Sequence, residues 1–81
     1  MDVLLDVTEV EVRAGYCLRL LFENGERRDF DMTPYLDKRP YLHLQEESQF
    51  ALAAVAYGTV VWPGDIDIAP ETLYAQSRAV G

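Results

Sequence analysis

The sequence predicts a single α+β domain over residues 1–81, with most of its strand content in the first half. Three observations carry that expectation. Apolar and polar residues alternate with period two from about position 3 to position 32, the mark of strands with one buried face. Gly15 and Gly25 interrupt that alternation where turns are needed. From Thr33 onward the alternation breaks, prolines appear, and short helical signals take over.

The elements follow in order. A first strand is expected over about 3–12, with Val10 and Val12 on one face and Glu9, Glu11 and Arg13 on the other. Val3, Leu5 and Val7 lie on odd positions, so the apolar phase shifts before Val10; a bulge near Val7-Thr8 reconciles the two. A second strand, about 16–22, turns Tyr16, Leu18, Leu20 and Phe22 inward and leaves Cys17, Arg19 and Leu21 opposite. A third, about 27–32, sets Arg28, Phe30 and Met32 against Arg27, Asp29 and Asp31.

Register decides the turns. A two-residue turn at Asn24-Gly25 would place Arg19 opposite Phe30 and Leu20 opposite Asp29. A three-residue loop, Glu23-Asn24-Gly25, pairs Leu20 with Arg28 and Leu18 with Phe30, and the apolar faces then agree. Gly25 takes the left-handed position of that loop. The same reasoning at Arg13-Ala14-Gly15 pairs Val12 with Tyr16 and Val10 with Leu18. The expected unit is a three-stranded antiparallel meander.

Beyond it, Pro34 suits a first helical turn with Thr33 as its cap. Residues of about 45–53 read as a short helix anchored by Leu44, Phe50 and Leu52. About 54–62 reads as a hairpin turning at Tyr57-Gly58, and 65–69 as a connector. A C-terminal helix is expected over about 70–77, with Pro70 in its first turn, Glu71 complementing its dipole, and Leu73 and Tyr74 docking. Trp62 is expected to pack beneath it.

Charge narrows the function. Fourteen acidic and seven basic side chains give a net charge of -7. Phosphate backbones are bound by basic patches that release counterions. The adjacent basic pair Arg27-Arg28 is followed by Asp29 and Asp31, so direct nucleic-acid binding is not expected. A basic protein partner fits this balance. The single cysteine, Cys17, excludes an intrachain disulfide and fits a reducing compartment. Asp6 and Glu9 break the early apolar run, so neither a signal segment nor a membrane span is expected, and the cytoplasm is the expected compartment.

Several segments stand together in a recognisable order: Phe22-Glu23-Asn24-Gly25-Glu26, Phe30-Asp31-Met32, Pro34-Tyr35-Leu36, Phe50, Gly58-Thr59-Val60-Val61-Trp62-Pro63-Gly64, Asp65 and Asp67, and Pro70-Glu71-Thr72-Leu73-Tyr74. This arrangement resembles the bacterial domain-of-unknown-function 2442 family over nearly the whole chain, most specifically from Trp62-Pro63 to Leu73-Tyr74. The resemblance implies a small α+β fold. It implies no established activity, and hence no catalytic residues to carry over. Genes of this family often neighbour a gene for another small protein, and such pairs have been proposed as toxin–antitoxin modules. Some relatives carry a following helix-turn-helix domain, which is not expected within these 81 residues. Ala69 departs from the capping residue common before Pro70-Glu71.

Candidate chemistry is sparse. Asp65, Asp67 and Glu71 offer hard-cation ligands, but Ile68-Ala69-Pro70 supplies neither a further ligand nor the glycine of a calcium loop. Asp67 and Glu71 are instead read as complements to the helix N-terminus. His43 has no second histidine for a zinc site and no evident nucleophile, and is read as a structural residue. Cys17 has Arg19 as the one nearby base on its face, so an ordinary strand thiol is expected. No cofactor or metal is expected.

The expected function is that of a small acidic interaction or accessory module, antitoxin-like, which binds another small, basic protein or assembles with itself. The contact is expected to combine Glu9, Glu11, Asp29 and Asp31 on the outer strand face with Tyr35 and Tyr41, since tyrosines are common interface anchors. Two alternatives come from other classes. One is a small ligand-binding or hydrolytic enzyme using His43 with a carboxylate. The other is an accessory domain of a transcriptional regulator that contacts the regulator and not DNA.

Overall fold

The computed structural model describes residues 5–80. Its strands form two antiparallel sheets, as the α+β reading expects. β1 (Val7–Arg13), β2 (Cys17–Phe22) and β3 (Arg27–Asp31) make the meander. β4 (Ala54–Ala56), β5 (Thr59–Trp62) and β6 (Ile66–Ile68) make a smaller second sheet. A two-residue strand, β7 (Arg78–Ala79), returns to pair with β3, so the first sheet runs β1-β2-β3-β7 and the second β4-β5-β6. Between the sheets in sequence lie 3-10 turns at Thr33–Tyr35 and Leu42–Gln45 and the single-turn α1 (Glu47–Phe50); α2 (Pro70–Ala75) precedes β7.

The β2–β3 register is the expected one: Leu18 faces Phe30 and Leu20 faces Arg28. Gly25 closes that loop at φ 88, where a side chain would clash with the backbone. The bulge is also present, as a register shift between Val7 and Glu9 that leaves Thr8 as the extra residue. It lets Leu5 and Val7 join the core from odd positions and Val10 and Val12 from even ones. Val3, the start of the expected strand, lies outside the described residues.

The β1–β2 register differs from expectation by two residues. Val12 pairs with Leu18 and Val10 with Leu20, because the loop is Ala14-Gly15-Tyr16 and Arg13 pairs with Cys17. Tyr16 leaves the strand in the left-handed region, at φ 59. Its hydroxyl donates to the Gln45 carbonyl and its ring meets Phe50 edge-on at 5.2 Å. A shift of two preserves side-chain parity, so the core face is unchanged.

The second half departs further. The helix expected at 45–53 is a 3-10 turn followed by one α turn; Leu44 and Phe50 anchor it, but Leu52 is half exposed. The 4-residue α1 is too short to hold itself without tertiary contacts. Thr33 is no cap; its amide and hydroxyl both donate to Asp31 Oδ1, at 3.0 and 2.7 Å. The 54–62 hairpin turns at Tyr57-Gly58 as expected, with Ala56 facing Thr59. The expected connector contains β6, whose Ile66 and Ile68 point into the core. Helix α2 ends at Ala75, short of Ser77, because β7 must begin.

The inward residues of both sheets meet in one cluster: Leu18, Leu20, Phe22, Phe30 and Met32 from the first, Val60, Trp62, Ile66 and Ile68 from the second, with Leu44, Phe50 and Leu73 closing the sides. Trp62 packs against α1, in the same cluster as Leu73 of α2. Its ring stacks on Phe50 at 6.1 Å, and Nε1 donates to the Phe50 carbonyl at 3.0 Å. The start of β1 is tied to the β4–β5 hairpin tip by Val7 N–H donating to the Gly58 carbonyl at 2.9 Å.

Candidate functional site

The four acidic residues expected at the contact do share the outer face of the first sheet, but they share it with arginines. Glu11, Arg19, Asp29 and Arg78 stand in one cross-strand row. Glu9 lies in the row of Arg27, and Asp31 in that of Arg13. Arg19 grips Asp29 bidentately, Nε and Nη2 donating to the two carboxylate oxygens at 2.9 and 3.1 Å. That hydrogen bond holds the Asp29 carboxyl below its ordinary range and raises Arg19. Arg13 also approaches Glu11 at 3.3 Å. Opposite charges across strands neutralise one another. The depression among Glu9, Glu11, Arg19 and Arg27 holds about 60 Å³, well short of a ligand cleft.

The structure does not bring Tyr35 and Tyr41 to this face. Tyr35 stacks on Phe30, an inward residue, at 5.5 Å, and Tyr41 meets Tyr35 edge-on at 6.3 Å. The Tyr41 hydroxyl donates to the Asp67 carbonyl of β6 at 2.9 Å. Burial, then the nearby Asp67, raises the Tyr41 hydroxyl above its ordinary pKa. These tyrosines join the first sheet to the edge strand of the second. The expected six-residue contact therefore divides in two.

The remaining singled-out residues stand apart. His43 is exposed in the 3-10 turn, and no hydrogen bond or ion pair among the described residues joins it to a carboxylate. Cys17 is half-buried, and its thiol pKa is raised, first by burial and then by Asp29 and Asp31, the reverse of an activated thiol. Among the described residues, no group of three or more histidine, cysteine or acidic side chains is placed to hold a metal ion.

Sequence reading missed two features. The first is a polar knot behind Arg28, the inward-facing charge of β3. Its Nε donates to Ser77 Oγ at 2.7 Å, Nη2 to the Ser77 carbonyl at 2.9 Å, and Nη1 to Glu26 Oε2 at 3.0 Å. The guanidinium lies 4.4 Å from the centre of the Tyr74 ring, whose hydroxyl donates to Glu26 at 2.8 Å. That bond lowers the Glu26 carboxyl and raises the Tyr74 hydroxyl. A charged residue at an inward register position was the available signal.

The second is Tyr57, 97 % exposed at the tip of the β4–β5 hairpin and held at φ 55. Left-handed backbone at both turn residues matches the twist of a two-residue hairpin, but it favours Asn or Gly. Beside Tyr57 runs a cleft of about 300 Å³ along the second sheet, bounded by Val61, Pro63, Asp65 and Asp67. Asp65 and Asp67 are the charged groups of this cleft. From Pro40 to Ser77 the chain carries Glu46, Glu47, Asp65, Asp67 and Glu71 and no lysine or arginine.

Two antiparallel sheets on one shared core, joined by short helical turns, define a small α+β domain without an assembled catalytic group among the described residues. The model of the DUF2442 family of proteins of unknown function matches residues 7–79, and the chain belongs to that family. No curated protein and no solved structure matches it significantly. No helix among the described residues is long and apolar enough to cross a membrane.

Proposed function

We propose that this domain is a protein-interaction module, antitoxin-like in working as the acidic member of a pair, whose partner is a small basic protein of the cytoplasm. The carrying observation is the separation of charge. The first sheet sets its carboxylates against Arg13, Arg19, Arg27 and Arg78, whereas residues 40–77 hold carboxylates with no lysine or arginine among them. A one-signed surface steers an oppositely charged partner and rejects like-charged ones, nucleic-acid backbones included.

The test is affinity purification of the intact chain from its native cells at physiological salt, followed by mass spectrometry and light scattering. The expected result is a stoichiometric complex with a small basic protein that dissociates as salt rises. A larger mass containing this chain alone would make the domain a homo-oligomer. A monomer without a partner would remove the interaction reading, and a small-molecule screen around His43 and Trp62 would follow.

A further inference from the structure

Among the described residues, the outer face of the second sheet carries the half-buried Val61 and the exposed Asp67. Inward parity takes Val60, Trp62, Ile66 and Ile68 into the core, which leaves Val61 and Asp67 paired with each other on the opposite face. Tyr57 bounds the cleft over Val61, and Pro63 and Asp65 bound it as well. Among the described residues, no hydrogen bond or ion pair engages the Asp65 or Asp67 carboxylate; Tyr41 reaches only the Asp67 backbone carbonyl. The cleft thus presents an aromatic ring, an apolar surface and two uncompensated carboxylates.

Those groups select a chemistry. A guanidinium stacks on an aromatic face and donates to carboxylates from its planar fork of N–H groups, whereas an ammonium acts only as a point charge. A second copy of this chain meeting the cleft with its own cleft would bring like charges together. We propose that the cleft beside Tyr57 binds an arginine-bearing extended segment of a basic partner protein, the guanidinium seated between the Tyr57 ring and the carboxylates of Asp65 and Asp67. The inference rests on the interaction reading above and assigns it a surface different from the balanced face of the first sheet.

The test is a titration of the isotope-labelled intact chain with the peptide acetyl-Gly-Arg-Gly-Arg-Gly-amide at about millimolar concentration, followed by amide chemical shifts. A second peptide replaces arginine by citrulline, which keeps the shape and removes the charge. Shifts are expected at Tyr57 to Val61 and Gly64 to Asp67 with the arginine peptide, and not with its citrulline analogue. Tyr57→Asn, whose asparagine suits the left-handed turn, and Asp67→Asn are each expected to weaken binding about fivefold. Both variants should melt no lower than the parent, which separates lost binding from lost folding.

Shifts centred on Asp29 and Asp31, equal shifts at every carboxylate, or undiminished binding by both variants would overturn the proposal. So would concentration-dependent shifts at Tyr57 without peptide, which would make a second copy the occupant. If a basic protein copurifies but Tyr57→Asn and Asp67→Asn retain it, this surface falls and the interaction reading stands. Cleft binding without any copurifying partner removes that reading and leaves the cleft as a peptide site.

Discussion

At φ 55, Tyr57 holds a conformation that costs an L-residue of its bulk about 1–2 kcal/mol. Its side chain recovers little of that cost, since it stands in solvent. Tyr57→Asn is expected to stabilise the fold by up to about 1 kcal/mol in urea unfolding, as asparagine tolerates this region. Its neighbour predicts the opposite sign. A Cβ at Gly58 would lie 2.5 Å from Asp6 Oδ1, on a backbone at φ 74. Gly58→Ala should therefore destabilise by more than about 1 kcal/mol in the same assay. The glycine loop at Gly25 was legible because register demanded a left-handed residue there. Tyr16 was not, because its departure from the strand serves Gln45 and Phe50, which lie far along the chain.

Elements are held by a few polar ties as well as by the core. Arg28 joins β3 to the end of α2 directly through Ser77 and indirectly through Glu26, which also accepts from Tyr74. Arg28→Lys should not rescue this tie, because one ammonium cannot reproduce the fork of donors. Both Arg28→Lys and Arg28→Ala should lose about 2–3 kcal/mol in equilibrium unfolding, with hydrogen exchange rising first in α2 and β7. If the lysine variant matches the parent, the knot is packing and not geometry. Trp62→Phe keeps the stacked ring but leaves the Phe50 carbonyl with the Ala53 N–H as its one donor, at a cost of about 0.5–1.5 kcal/mol. The meander was legible at this scale because alternation over five to seven residues in each strand exceeds local noise. β6 and β7, of three and two residues, carry too little pattern to be read.

For the whole molecule, pH acts through the carboxyls that the fold depresses. Tyr74 chiefly lowers Glu26, and Arg19 chiefly lowers Asp29, from ordinary values of 4.5 and 3.8. The unfolded chain therefore takes up these protons at higher pH than the folded one, and stability rises with pH across that interval. The contribution is complete above the ordinary values and is lost as pH falls through the depressed ones. Urea midpoints measured from pH 6 downward should fall below about pH 4.5, and Glu26→Gln and Asp29→Asn should each flatten that limb. Unchanged slopes in both variants would show that these pairs are solvent-screened and inert.

The sequence by itself determined the fold class, the β2–β3 register, the bulge at Thr8, the Tyr57-Gly58 hairpin and the family. Each depends on neighbours in the chain: parity, turn chemistry, or a motif in linear order. The composition also showed an excess of negative charge but not where it acts. Only the tertiary structure decided that Glu9, Glu11, Asp29 and Asp31 share their face with arginines, which pair with Glu11 and Asp29, and that Tyr35 and Tyr41 pack on the core side. The same structure shortened the central helix, set Trp62 against α1, and brought β7 back to β3. These outcomes share one physical reason. Cross-strand rows and packing between sheets join residues tens of positions apart, and no local periodicity records which charge will stand opposite which.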